Sequence, residues 1–200
     1  MSAVLWTIGH STRPIEEFVL LLKAHGIRQL VDVRTIPKSR YNPQFNTEAL
    51  AKRLAETGIA YRHAAGLGGL RKPKSDSINT GWRNESFRGY ADYMQTEEFQ
   101  RALEELMAYG TGIKTPFSPI HAGHAETHPF RTAVMCAEAV PWRCHRSLIA
   151  DALVSRGWEV QHIMSETKAD RHRMTSFAKV GHGRITYPRP ANEQMPGLFE

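Results

Sequence analysis

The sequence predicts an α/β fold: a mainly parallel sheet of about five strands, with helices on both faces and long loops at the carboxyl ends of the strands. Two observations support this prediction. Short β-prone apolar runs alternate with segments of helical spacing, and parallel neighbours need such crossover connections. The chain also has 200 residues, 41% of them hydrophobic and 23% charged, which suits one domain with a buried core.

The first third of the chain contains three predicted strands and two predicted helices. Residues 4–8 predict a strand, followed by a helix over 15–25 with Thr12 as its N-cap and Pro14 in its first turn. Residues 30–33 predict the second strand. A helix that begins at Asn46 or Thr47 and a strand over 59–63 complete the repeated unit.

The middle of the chain is less regular. Residues 66–89 are rich in glycine and basic residues and predict a long basic loop. Thr96 predicts the N-cap of a helix that ends at Gly110. Residues 111–131 contain three prolines, two glycines and three histidines, and predict a surface loop or insertion.

The last third predicts two more strands. Residues 132–136 form the fourth strand, 144–156 a helix and 160–163 the fifth strand. Beyond Met164 the chain is polar and basic in patches, which indicates loose order. The predicted organisation is therefore one α/β domain over residues 1–187, with an insertion at about 111–131 and a polar tail over 188–200.

Composition and charge exclude several classes of protein. Two cysteines do not make a disulfide scaffold. Uninterrupted apolar runs stay far below the roughly 18 residues of a membrane span, and no secretory signal is readable, so we expect a cytoplasmic protein with no membrane partner. The net charge of +6 favours a polyanionic partner, although proteins that bind small phosphates share this balance.

Polar residues follow the predicted strands at the edge where parallel sheets bind ligands. These residues include an imidazole, a carboxylate, a guanidinium and a thiol. A loop does not need all four kinds of group merely to be solvated, so we interpret this edge as a functional rim. The candidate residues are His10, Ser11, Asp32, Arg34, Ser39, Arg40, Gly68, Gly69, Cys136, Glu138, Cys144, His145 and Arg146.

The densest group of candidates lies between Cys136 and Arg146. A helix that begins at Cys144 would place free backbone N–H groups beside an arginine, which favours an anion and lowers the pKa of a nearby thiol. Cys136 fits a buried small side chain equally well. A cysteine-phosphatase loop is disfavoured, because it needs an arginine six positions after the cysteine, where the chain has Trp142 or Ala150.

Two further patterns leave alternatives open. The two cysteines are eight residues apart, unlike zinc knuckles, yet Cys, Glu, Cys and His side chains could converge on a metal. The basic loop, with Trp82 and Phe87, suits either a phosphodiester backbone with stacked bases or a solvated loop whose aromatic rings cover the core edge. The histidines of the insertion, His121, His124 and His128, fit a solvated loop better than a metal site.

Several short motifs, in order, resemble the largely bacterial family catalogued as domain of unknown function 488. They are Thr7-Ile8-Gly9-His10-Ser11, Val31-Asp32-Val33-Arg34 with Pro37 and Ser39-Arg40, Leu67-Gly68-Gly69, Tyr90-Ala91-Asp92-Tyr93-Met94, Met135-Cys136-Ala137-Glu138, Cys144-His145-Arg146 and His162-Ile163. The resemblance covers about residues 5–187, and the stretch 111–131 departs from it. It implies an α/β fold of parallel strands with a polar site, and it names no substrate.

The leading hypothesis is an enzyme that acts on a phosphate-bearing substrate, nucleotide or nucleic acid. Its predicted roles are anion binding (Arg34, Arg40, Arg146), a nucleophile or ligand (Cys136 or Cys144), proton transfer (His10, Glu138, His145) and orientation of a cation (Asp32). The alternatives are a nucleic-acid-binding module without catalysis and a metal-binding Cys/His protein. The residues leave the cofactor, the reaction and the oligomeric state open.

Overall fold

A six-stranded sheet forms the centre of the computed structural model, which describes residues 3–112, 130–181 and 183–189. The strands are β1 Val4–Gly9, β2 Gln29–Asp32, β3 Ala60–His63, β4 Thr132–Cys136, β5 Glu159–Ile163 and β6 Ala169–Arg171. They lie in the order β3-β2-β4-β1-β5-β6. All neighbouring pairs are parallel except β5 and β6. The predicted five-stranded parallel sheet is confirmed, with one antiparallel edge strand added.

Within the described residues, five helices connect these strands: α1 Ile15–Ala24, α2 Thr47–Ala55, α3 Glu85–Tyr93, α4 Glu97–Gly110 and α5 Arg146–Val154. The Thr96 side chain accepts a hydrogen bond from the backbone of Phe99 and caps α4, as predicted. The prediction that Thr12 caps α1 is wrong, because Pro14 occupies the N-cap position and its fixed backbone already sets the turn into the helix.

The two faces of the sheet carry separate apolar clusters. Alternate residues of β4 point to opposite faces, so Val134 belongs to one cluster and Met135 to the other. Side chains of α1 and α2 pack on the Met135 face, and side chains of α3, α4 and α5 pack on the Val134 face. Helices therefore cover both faces, as the sequence predicts.

Two segments are more ordered than the sequence predicts. The predicted basic loop 66–89 contains the start of α3, whose N-cap Asn84 accepts hydrogen bonds from the backbone of Ser86 and Phe87. The polar chain beyond Met164 forms β6 and a hairpin of β7 Lys179–Gly181 and β8 Arg184–Thr186. Tyr187 then enters the core and donates a hydrogen bond to Asp151 over 2.9 Å, which anchors this segment.

Parts of the predicted organisation lie outside the described residues. They are most of the insertion, with His121, His124 and His128, and most of the polar tail. Among the helices that the structure does describe, none has both the length and the apolarity to cross a bilayer.

The sheet order brings three strand ends together. β4 lies between β1 and β2, with Cys136 beside Gly9 and Met135 beside Asp32. The chain segments that leave these strands therefore meet at one point of the carboxyl edge, and the candidate residues that follow β1, β2 and β4 become neighbours.

Candidate functional site

Cys136 is the last residue of the inner strand β4, and backbone hydrogen bonds continue past the strand ends on both sides of it. The His10 amide donates to the Cys136 carbonyl over 3.0 Å, and the Val33 amide donates to the Met135 carbonyl over 3.0 Å. These bonds hold the Cys136 backbone between the segments that follow β1 and β2. Its thiol is buried on the face that α5 covers.

The segment before α5 returns the chain to Cys136. A 3-10 turn covers Pro141–Arg143, and Cys144 follows it with an extended backbone. The prediction that the helix begins at Cys144 is wrong: His145 is the N-cap and α5 begins at Arg146. The turn places Cys144 just before the helix, where its sulfur accepts a hydrogen bond from the Arg146 amide over 3.5 Å.

The His145 ring contacts both cysteines. Its Nδ1 lies 3.9 Å from the Cys136 sulfur and 3.7 Å from the Cys144 sulfur. Its Nε2 lies 3.1 Å from the Val33 carbonyl oxygen, which can only accept, so Nε2 carries the proton. In the neutral ring Nδ1 is then unprotonated and presents a lone pair to both thiols. The two sulfurs and Nδ1 all lie within 4.8 Å of one another.

The surroundings of Cys136 and Cys144 shift the pKa values of the two thiols in opposite directions. The pKa of Cys136 lies well below its usual range, because Cys144 donates a hydrogen bond to it and because His145 and Arg146 lie close by, although burial opposes this effect. The pKa of Cys144 lies well above its usual range, because Cys136 is its hydrogen-bonded neighbour and because it is buried. The pair therefore favours one thiolate, on Cys136.

Arg146 places a positive charge behind the cysteines. Its side chain is 1% exposed, and Nη2 donates to the carbonyl oxygens of Glu138 and Ala139 over 2.9 Å each. Within the described part of the chain, the buried Nε and Nη1 have no hydrogen-bond partner. A buried guanidinium is costly without a counter-charge, and a thiolate on Cys136 supplies one. The predicted anion-binding Arg146 is thus buried next to the cysteines and is not part of the cavity wall.

Asp32, Arg34 and His10 form a second buried group beside the cysteines. The Arg34 guanidinium donates to both carboxylate oxygens of Asp32, from Nη2 over 2.6 Å and from Nε over 2.9 and 3.1 Å. Its Nη1 lies 3.3 Å from His10 Nε2, while His10 Nδ1 lies 2.7 Å from the Ser11 carbonyl. Burial lowers the pKa of His10. Both ring nitrogens of His10 are therefore engaged, and the ring fits a neutral positioning group.

Three glycines allow backbone to pass close to the site. A Cβ on Gly9 would lie 1.8 Å from the Glu138 carbonyl oxygen, so the loop after β4 can cross β1 only at a glycine. A Cβ on Gly68 would lie 2.7 Å from the Thr35 hydroxyl, and one on Gly69 would lie 3.0 Å from His145 Nδ1. The predicted glycines Gly68 and Gly69 thus make room for protein groups, and Gly69 leaves space beside Nδ1.

A cavity of about 840 Å³ opens above the cysteines at the carboxyl edge of the sheet. The predicted site residues that line it are His10, Ser11, Arg34, Ser39, Gly69, Cys136, Glu138, Cys144 and His145. Three further predicted residues lie behind the lining residues and do not line the cavity themselves: Asp32, Gly68 and Arg146. Arg40 is exposed to solvent and is not part of the cavity wall. Ser11 and Leu70 line the cavity with positive φ angles of 50° and 57°, which are uncommon for residues with a side chain.

Sequence reasoning missed two cations of this wall. Lys38 and Arg143 line the cavity and are exposed to solvent. Both lie within a few residues of predicted site residues, so their position after β2 and β4 is the signal that could have identified them. A second cavity, of about 500 Å³ beside β3 and α4, contains neither cysteine.

The aromatic residues of the predicted basic loop contribute to the core. The rings of Trp82 and Phe87 lie 4.8 Å apart, and Trp82 also contacts Phe177 and Tyr187. Trp82 and the α3 residue Phe87 are partly buried and pack against the core, and the Arg71 guanidinium stacks 3.6 Å above the Tyr93 ring. Of the two interpretations left open by the sequence, this packing favours rings that cover the core edge.

Comparison with known proteins gives one match. The family model described as "Domain of unknown function DUF488" matches residues 14–113 and 119–153, which include α1 to α4, β4 and most of α5. Neither the curated proteins nor the solved structures gave a match.

Proposed function

The chain belongs to the DUF488 family, and from its site we propose that it is an enzyme that acts on a phosphate-bearing substrate such as a nucleotide or a nucleic-acid end. Cys136, Cys144 and His145 form the reaction centre. The observation that carries this proposal is their position in the wall of the 840 Å³ cavity, at the carboxyl end of an inner parallel strand.

Charge in the cavity wall supports an anionic substrate. Lys38 and Arg143 are exposed on the wall, while Arg34 lies deeper and is already paired with Asp32. We therefore assign the first contact with phosphate oxygens to Lys38 and Arg143. Arg34 has its remaining donor capacity at Nη1, next to His10. Each exposed contact of this kind contributes about 1 kcal/mol to binding.

We assign the role of general base to Glu138. The His10 nitrogens are engaged with Ser11 and Arg34, and His145 Nε2 is engaged with Val33. Glu138 is exposed in the cavity wall and can accept a proton from an attacking water. In a hydrolysis, water forms the new P–O bond, the P–O bond to the leaving group breaks, Glu138 takes the proton of the water, and solvent protonates the leaving oxygen.

A substrate panel tests the proposal. Purified protein is incubated with phosphate mono- and diesters, nucleotides and short single-stranded oligonucleotides, and products are separated by chromatography. We expect turnover of at least one phosphate-bearing class, and loss of that turnover in Cys136→Ala and Glu138→Gln. Arg143→Gln should raise KM about fivefold, as expected for an exposed charge contact worth about 1 kcal/mol.

Arg53→Gln serves as the matched control, because Arg53 is a partly exposed arginine of α2 that pairs with Glu56 and does not line the cavity. Its KM and kcat should equal those of the wild type. Turnover that survives in both Cys136→Ala and Glu138→Gln, or the absence of turnover across the panel, would refute the proposed function.

A further inference from the structure

We propose that Cys136, Cys144 and His145 bind one divalent metal ion of the zinc class, with a fourth coordination position open to the cavity. The inference rests on the proposed function, because it names the cofactor of that reaction centre. Two thiolates and one imidazole are the ligand types that zinc prefers, and catalytic zinc sites combine three protein ligands with one open position.

The distances between the ligand atoms fit tetrahedral coordination. With Zn–S near 2.3 Å and Zn–N near 2.05 Å, a tetrahedron separates sulfur from nitrogen by about 3.6 Å and the two sulfurs by about 3.8 Å. The sulfurs of Cys136 and Cys144 lie 3.9 and 3.7 Å from His145 Nδ1. The three atoms lie within 4.8 Å of one another. Both sulfur–nitrogen distances thus exceed the tetrahedral value by no more than a few tenths of an ångström.

The groups around the ligands orient them for a metal. The Val33 carbonyl accepts a hydrogen bond from the Nε2–H of His145, which leaves the Nδ1 lone pair for coordination, as carbonyl partners do in metal sites. The Arg146 amide donates to the Cys144 sulfur, which suits a thiolate at that position. Gly69 keeps the space next to Nδ1 free, since a Cβ there would lie 3.0 Å from this atom.

Charge supports a cation at this position. Two thiolates without a metal would repel each other and a phosphate group in the cavity, whereas a divalent ion makes the Cys136–Cys144–His145 centre neutral. The buried Arg146 then adds one positive charge beside it, and its Nε and Nη1 have no hydrogen-bond partner among the described residues. The centre with its arginine would carry a net charge of about +1 and favour hydroxide or a phosphate oxygen as the fourth ligand.

The position of the open site relates the metal to the reaction. Cys136, Cys144 and His145 line the same cavity as Glu138, Lys38 and Arg143. A metal ion there would lower the pKa of a bound water or polarise a phosphoryl oxygen, and Glu138 would receive the proton. In this arrangement the two cysteines would be metal ligands, and the metal-bound water would be the attacking group.

Titration with cobalt(II) tests the metal site. Metal-free, reduced full-length protein is titrated with Co²⁺ while the visible and near-ultraviolet spectrum is recorded. We expect one Co²⁺ per chain, d–d bands typical of tetrahedral geometry and a sulfur-to-cobalt charge-transfer band, all reversed by excess Zn²⁺. The charge-transfer band reports cysteine ligands only, so binding by His121, His124 or His128 cannot produce it.

Three variants and one control complete the titration. Cys136→Ser, Cys144→Ser and His145→Gln should each weaken Co²⁺ binding by more than about 100-fold, because loss of a group that only hydrogen-bonds to a metal ligand already costs about 10- to 100-fold. His25→Gln removes an imidazole that contacts the Ser165 carbonyl far along the chain, and it should bind Co²⁺ like the wild type. Alkylation of the wild-type thiols by iodoacetamide should slow when Zn²⁺ is added, a readout that needs no variant to fold.

The result separates this inference from the proposed function. A wild-type protein without the charge-transfer band, without protection of its thiols by Zn²⁺, or with a Cys136–Cys144 disulfide after reduction and removal of the reductant refutes the metal site. Turnover in such a protein would leave the proposed function standing, without a metal at its reaction centre. A metal-loaded protein with no turnover of any phosphate-bearing substrate would refute the function and support the metal site.

Discussion

Replacement of Asp32 by asparagine should remove the counter-charge of the buried Arg34 while keeping the side-chain volume. The Asp32 carboxylate is wholly buried and accepts hydrogen bonds from the Arg34 amide over 3.0 Å, from the guanidinium, and from the Tyr61 hydroxyl over 2.8 Å. Breaking a buried ion pair from one side costs about 3–5 kcal/mol. The free energy of unfolding, measured with urea and circular dichroism, should fall by this amount.

A surface pair provides the control. Asp170 and Lys168 lie 3.4 Å apart with both side chains largely exposed, so Asp170→Asn should change the free energy of unfolding by less than about 1 kcal/mol. In the double variant Asp32→Asn/Arg34→Met, part of the loss should be recovered, because no charge is then left unpaired. An Asp32→Asn variant as stable as Asp170→Asn would refute the buried pair.

Two further predictions concern proton uptake and backbone packing. Burial lowers the pKa of His162 to about 3, so between about pH 6.5 and 3 the unfolded chain binds a proton that the folded chain does not, and stability falls as the pH decreases. Its ring resonances, followed by NMR, should show a neutral ring at pH 5, and a midpoint above pH 6 would contradict this. Gly9→Ala should destabilise the fold by at least about 1–3 kcal/mol in urea denaturation, because its Cβ would lie 1.8 Å from a backbone carbonyl oxygen. Gly181→Ala, with open space around it, should be close to neutral, and equal effects of the two would argue against the close approach.

The alternation of strands and helices could be read from the sequence because local signals specify it. Apolar runs, glycine stops and the cap at Thr96 predicted all five parallel strands and four of the helices. Helix α3 could not be read in this way, because Gly89 interrupts it and because the helical residues before Gly89 are mostly polar. The structure explains this glycine: a Cβ at position 89 would lie 2.3 Å from the Arg71 carbonyl oxygen. A long-range contact, invisible in the local pattern, requires it.

The candidate site was predictable as a location but not as a geometry. The positions of Cys136 and Cys144 relative to strand ends indicated a shared edge. The contact between His145 and the Val33 carbonyl joins residues 112 positions apart, and it decides which ring nitrogen faces the sulfurs. The burial of Arg146 depends in the same way on the loop that crosses Gly9, because Arg146 donates to the Glu138 and Ala139 carbonyls of that loop. The sequence could therefore predict its charge but not its burial.

The last two predicted anion-binding arginines show the same limit. Arg34 and Arg40 follow the same strand, yet one is buried against Asp32 and the other is exposed outside the cavity wall. Sequence position alone does not distinguish them. Contacts with Asp32 and with the Phe45 carbonyl, which accepts from Arg34 over 2.7 Å, decide the outcome.

Anomalous X-ray diffraction at the zinc edge, from crystals of the reduced protein grown with Zn²⁺, tests the central claim most directly. The claim is that Cys136, Cys144 and His145 form one metal centre in the wall of the cavity. We expect a single strong peak about 2.3 Å from both sulfurs and about 2.0–2.1 Å from Nδ1, with its fourth position facing the cavity. An anomalous map without a peak between Cys136, Cys144 and His145, or a bond between the two sulfurs, would contradict the account.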